Sequence, residues 1–142
     1  MHNYLEYMVA GKNLLDLTEE GVEAQRMAEV VRDKGFIDLE EIWGSEVVIS
    51  YPGLYAGQTD LCGIYQGRES IIDFKQSNKP KKEEWIEDYY YQMVAYAMAH
   101  DAVHWTQIEQ GVILMCTPDL FFQKFVLNGA RFRQYKWKWL WR

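Results

Sequence analysis

The stretch 69-ESIIDFK-75 constrains the fold more than any other part of this chain. It is β-branched and apolar enough to read as a strand, yet Asp73 and Lys75 interrupt the apolar run. A charge beside a core is costly unless it is paired or used. The strand must therefore end where two charges have something to do. Two more strand-like segments precede it, 46-EVVIS-50, bounded by Gly44 and Pro52, and 54-LYAGQTDLCGIYQ-66. Gly67-Arg68 suits a two-residue hairpin turn with glycine first. In that register Asp60 lies opposite Lys75 and diagonal to Asp73. All three share one face, and Phe74 points the other way into the core. A one-residue slip would separate them.

The rest of the chain supplies the partners for this hairpin. His2–Val9 reads as a short helix ended by Gly11. Thr18 caps a second helix running to about Lys34 and closed by Gly35, with Glu19 and Glu20 as first-turn dipole partners. The basic stretch 79-KPKK-82 leads into a helix from about Lys82 to Asp101. Residues 108 to 116 form a buried strand, Thr117-Pro118-Asp119 turns the chain, and 120-LFFQKFVL-127 is another strand. The tail from Asn128 is helical. The order α, α, β, β, β, α, β, β, α predicts one α/β (α+β) domain over residues 1–142, a mixed central sheet flanked by helices.

Composition removes several function classes. A chain of 142 residues, 49% apolar and 15% aromatic, can bury a real core. Its net charge of -6 argues against a general nucleic-acid coat or a membrane-surface protein. It leaves room for a nuclease, because bound divalent metal neutralises carboxylates where a phosphate must sit. Cys62 and Cys116 lie in apolar runs and read as small buried thiols in a reducing compartment. Two cysteines cannot by themselves hold an iron–sulfur cluster or a structural zinc ion. No apolar run approaches a membrane span, and the start has no basic leader. The expected location is the cytoplasm of a bacterium or a phage-infected host.

The chemistry gathers on the hairpin. Asp60, Asp73 and the main-chain carbonyl of Phe74 are hard oxygen donors suited to Mg2+ or Mn2+. Such an ion polarises a phosphoryl oxygen and acidifies a bound water. Lys75 can hold that water or steady the charge of the transition state. Taken alone, Asp73 and Lys75 fit a structural ion pair at a strand end better than a catalytic site. With Asp60 on the same face, the three side chains read as the site of a metal-dependent phosphodiester hydrolase.

The combination 57-GQTD-60, 73-DFK-75 and 92-QMVAY-96 resembles the PD-(D/E)xK nuclease superfamily, in particular its RecB-like exonuclease branch. The nearest group in that branch is the mitochondrial genome maintenance exonucleases. The resemblance is sharpest from Gly57 to Tyr96. It implies a restriction-endonuclease-like core and a DNA exonuclease that prefers single strands and uses Mg2+ or Mn2+ without an iron–sulfur cluster. It also implies that His2, in 2-HNYLE-6, is a further metal ligand and that Gln92 and Tyr96 face the site together. Thr59 replaces the proline of the superfamily name, and Gln76 stands where many relatives carry threonine. Two alternatives remain open: an endonuclease or junction resolvase on the same core, and a catalytically silent DNA-binding module.

Other residues admit two readings. Lys79, Lys81 and Lys82 could grip a phosphate backbone or form a solvated turn. Trp85 and Tyr89 share the Gln92–Tyr96 face and could stack on bases. The tail RFRQYKWKWLWR interleaves basic with aromatic residues, as single-strand binders do to stack bases and neutralise phosphates. Yet Phe132, Tyr135 and Trp139 have helical spacing, as do Trp137 and Trp141, and core packing is the better expectation. His100 and His104 are expected at the surface.

Overall fold

The computed structural model of the chain describes residues 19–51 and 55–141. The expected helix at His2–Val9, and His2 with it, lies outside them. Helix α1 (Glu19–Gly35) occupies the expected span and ends with basic Arg32 and Lys34 in its last turn. That placement favours the helix dipole. Five strands follow in a single sheet of order β1 (Leu39–Tyr51), β2 (Tyr55–Tyr65), β3 (Arg68–Gln76), β4 (Gln110–Cys116) and β5 (Phe122–Asn128). Only β3 and β4 run parallel. The crossover between them is a 3-10 turn, Glu83–Ile86, and helix α2 (Glu87–His104). Helix α3 (Gly129–Leu140) follows β5. This is the mixed, helix-flanked α+β architecture expected from the element order.

The sheet is buried on both faces, which fixes where each side chain points. Met27, Ala28 and Val31 of α1 pack on Leu61, Ile72, Phe74, Val112 and Leu114. On the other face Tyr90, Met93, Val94 and Ala97 of α2, with Phe132 of α3, pack on Cys62, Ile71, Ile113 and Met115. Strand β4 is buried at all seven positions, as a strand covered on both faces should be. Along β3 the alternation is strict: Ile72 and Phe74 face α1, while Ile71, Asp73 and Lys75 face α2.

Two expectations are corrected. Gly44 does not bound β1. The strand runs through it with register irregularities between Leu39 and Glu41 and between Ile42 and Gly44. A glycine inside a strand commonly marks such a bulge. The hairpin turn is Gln66-Gly67, not Gly67-Arg68, because Tyr65 pairs with Arg68. Both turn residues have positive φ, 52° and 75°, as a mirror-image type I turn requires. The unusual Gln66 conformation is held from outside the hairpin. Its amide donates to the Asp38 carbonyl at 2.9 Å, and its side chain donates to the Asp38 carboxylate at 3.1 Å. The resulting register differs from the expected one by two residues, so every side chain keeps its face.

Candidate active site

Backbone pairing between β2 and β3 stops at Leu61 and Ile72. Before that point β2 belongs to β1, from Tyr51–Tyr55 to Val47–Thr59. Beyond it β3 continues alongside β4 as far as Gln76 and Cys116. The sheet therefore forks, and the next facing pair in the corrected register is Asp60 and Asp73. Asp60 lies opposite Asp73 rather than opposite Lys75.

At the fork, carboxylates take the place of backbone partners. The Asp60 amide donates to Asp73 Oδ1 at 3.3 Å. The Phe74 amide donates to Asp60 Oδ2 at 2.8 Å. This reciprocal bonding fixes both side chains at the mouth of the fork, where each is half-buried. A strand residue turns its N–H and C=O to the same side. The Phe74 carbonyl thus faces the fork with its amide, while its ring is buried against Phe36 at 5.6 Å between centroids.

Lys75 lies two residues past Asp73 on the same face. Its ammonium sits over the ring of Tyr89, 4.7 Å from the centroid. Tyr89, a candidate for stacking bases, instead carries the lysine. Tyr96, two turns further along α2, is buried beneath the fork. Its phenol pKa is pushed well up, first by burial and then by nearby Cys62 and Asp73. The phenol stays protonated and can act as a hydrogen-bond donor. Gln92, one turn before Tyr96 and one turn after Tyr89 on α2, has an exposed side chain.

Lys79, Lys81 and Lys82 are exposed on the loop that leaves β3. The loop backbone is clamped, since Lys81 N–H donates to Gln123 Oε1 and Gln123 Nε2 donates to the Lys81 carbonyl, both at 2.8 Å. Lys82 lies over the Trp85 ring at 5.4 Å, and Trp85 is exposed. The basic stretch is thus a held turn with its cations outward, tied to β5.

A second polar cluster was not foreseen. His100, expected at the surface, is buried, and only His104 is exposed. The Thr106 hydroxyl donates to Asp101 Oδ1 at 2.7 Å, so it accepts from His100 Nδ1, also at 2.7 Å. His100 Nε2 is then left to accept from the Cys62 thiol at 3.6 Å. Burial lowers the His100 pKa, and His104 adds to that. Burial raises that of Cys62. Both groups are held neutral. His100 lies seven residues after Met93 and three after Ala97, on the apolar stripe of α2, and that spacing was the available signal.

Among the described residues no third His, Cys, Asp or Glu joins the two carboxylates of the fork. Two carboxylates, a carbonyl and space for water and phosphate are a donor set that Mg2+ accepts, since it keeps several waters and often binds with substrate phosphates.

Solved structures place the fold. A candidate exonuclease from Eubacterium rectale matches over 97% of this chain with a TM-score of 0.62 and 13% identity. A phage-related exonuclease from Haemophilus somnus 129PT matches over 98% of the chain, with a TM-score of 0.53 and 12% identity. The fold is shared with both. The chain spans 60% of the length of the first protein and 75% of the second. No protein-family model and no curated protein matches the sequence.

Proposed function

We propose that this chain is a metal-dependent nuclease that hydrolyses DNA from an end, prefers single strands, and belongs to the RecB-like branch of the PD-(D/E)xK nucleases. The observation that carries the reading is the fork. Asp60 and Asp73 face each other where the ladder opens, with Lys75 on the same face. A purely structural pair would not need the backbone to part around it. The shared fold with two exonucleases supports the reading.

In this reading Asp60, Asp73 and the Phe74 carbonyl hold Mg2+ or Mn2+, with His2 as a further ligand. Bound there, the ion supplies Lewis acidity to the scissile phosphate and lowers the pKa of a water. The protein does the rest. The amides of Asp60 and Phe74 hold both carboxylates in place before substrate arrives. The Lys75 ammonium donates to the attacking water or to a non-bridging phosphate oxygen, where negative charge grows. Tyr89 seats that ammonium through its ring face. Lys79, Lys81, Lys82 and Trp85 flank the fork as contacts for the strand, and Gln92 lies within the same exposed surface of α2.

The test is hydrolysis of end-labelled single-stranded DNA with Mg2+, Mn2+ or a chelator, by wild type and Lys75→Ala. Metal-dependent release of label that is lost in the variant supports the reading, and the product ladder reports whether cleavage starts at an end. A folded wild type that cleaves nothing in either metal contradicts it.

A further inference from the structure

The net charge of -6 conceals a sharp division. Of the 15 cationic side chains, six lie after Asp119, and none of the 21 acidic ones does. The C-terminal segment is thus at +6 and the preceding 119 residues at -12. Charge asymmetry of this kind points to a polyanionic partner more directly than net charge does.

The fold divides the aromatic residues of that segment as sharply. On the inner face of α3, Phe132 is buried, and Tyr135 and Trp139 pack against the core. Tyr135 meets Tyr90 and Tyr91 of α2 edge-on, with centroids 5.5 and 5.0 Å apart. Trp137 and Trp141 fall on the opposite face, 63% and 75% exposed, with ring centroids 5.7 Å apart. Ala130, Arg133, Gln134, Trp137 and Lys138 line a groove of about 350 Å³ there. Of the four cations on α3, only Arg131 has an acidic partner among the described residues, Glu83. Core packing explains three of the tail aromatics and leaves these two tryptophans without a structural role, while Lys138 lies over the Tyr135 ring, 5.5 Å from its centroid.

We propose that the outer face of α3 is a second binding surface for single-stranded nucleic acid, separate from the fork. Trp137 and Trp141 stack on unpaired bases, and Arg133 and Lys138 neutralise the adjoining phosphates. A purely apolar face would fit a protein partner or a second copy. Two exposed tryptophans between cations that have no acidic partner among the described residues, on a helix with no carboxylate, fit a strand with a π-face and a charge at every step. The identification of that strand with the substrate rests on the proposed nuclease activity. Helix α3 flanks the 3-10 turn that carries Trp85 and the first turn of α2, which carries Tyr89. The surface therefore adds a remote hold on long substrates and nothing to short ones.

The test compares wild type, the double variant Trp137→Ala/Trp141→Ala and the double variant Arg133→Glu/Lys138→Glu. All four positions face outward, and circular dichroism checks that the fold is kept. Two readouts are taken: binding of labelled oligothymidine in chelator across a salt series, and hydrolysis of thymidine 5′-p-nitrophenyl phosphate, which is too short to span both surfaces. The tryptophan variant should bind the oligomer at least about 10-fold more weakly, given the usual value of one stacked base. The charge variant should bind more weakly with a shallower salt dependence. Both should turn over the short ester like wild type. Unchanged oligomer binding in both variants overturns the proposal, as does equal loss of binding to a blunt duplex. So does a dimer that dissociates in the tryptophan variant while strand binding persists. If wild type hydrolyses neither substrate but loses strand binding in the variants, the nuclease reading falls and this surface stands.

Discussion

The α2 face of the hairpin carries two polar clusters, and they are built on opposite plans. At the fork, Asp60 and Asp73 replace backbone partners with carboxylates, half-open to solvent, and Lys75 rests on an aromatic ring. Two residues along β2, Cys62 begins a chain through His100 and Thr106 to Asp101, and the Asp101 carboxylate also accepts from the Ile108 amide at 2.9 Å. That chain is closed: each proton has one place to go. The contrast separates chemistry from architecture within a few ångströms of the same strand. A network whose every member is satisfied rigidifies a core. A pair of carboxylates held where a ladder opens is the arrangement on which the proposed metal site rests.

Substitutions should separate the two clusters cleanly. The largest effect is expected from Asp73→Asn. Its amide oxygen can still accept from Asp60, so the fold should survive. Losing the charge should lower hydrolysis on the order of 100-fold or more, given the several kcal/mol a metal ligand supports. Thermal unfolding measured beside activity checks both halves. Asp101→Ala should do the reverse. It leaves Thr106 and the Ile108 amide without their acceptor and should cost roughly 2–3 kcal/mol of stability. The protein that remains folded should keep its specific activity. A 100-fold loss of activity in Asp101→Ala without unfolding would erase the distinction.

Acid probes the closed cluster next. The folded pKa of His100 lies below its unfolded value, so below about pH 6.5 the unfolded chain takes up a proton that the folded one refuses. Its contribution to stability is whole at neutral pH and is lost as pH falls from 6.5 toward the lowered folded value. The groups facing His100 are Cys62, Thr106, His104 and, through Thr106, Asp101. Denaturant titrations at pH 7 and pH 5 should show this loss in wild type, and His100→Gln should reduce it. The smallest effect tests the seat of Lys75. Tyr89→Leu should slow hydrolysis about 2- to 5-fold, the worth of an exposed cation–π contact, whereas Tyr89→Phe should stay near wild type. If phenylalanine fails like leucine, the hydroxyl rather than the ring face matters.

Much of this was legible in the residues, for reasons that can be named. The faces of the hairpin followed from alternation, and they survived a turn misplaced by one residue at each end because the register then moved by two. The turn itself was hidden. Gln66 adopts positive φ only because Asp38, 28 residues earlier, binds both its amide and its side chain. No local pattern announces such a partner. Gly44 was read as a boundary because a bulge and a strand end use the same residue. His100 was misread because polarity outweighed its position on the Met93–Ala97 stripe. The site was legible in part. Asp60, Asp73 and Lys75 come together, Tyr96 lies beneath them, and Gln92 points to solvent. The parting of β2 from β3, which makes the fork, depends on β1 and β4 competing for the two strands, and that competition is not written in the hairpin.

The central claim is that the fork holds a divalent cation. Calorimetric titration of Mn2+ into wild type, Asp73→Asn and Asp101→Asn tests it without any substrate. The account predicts binding to wild type, its loss in Asp73→Asn, and its retention in Asp101→Asn. Equal Mn2+ binding by wild type and Asp73→Asn, or none by folded wild type, would contradict it.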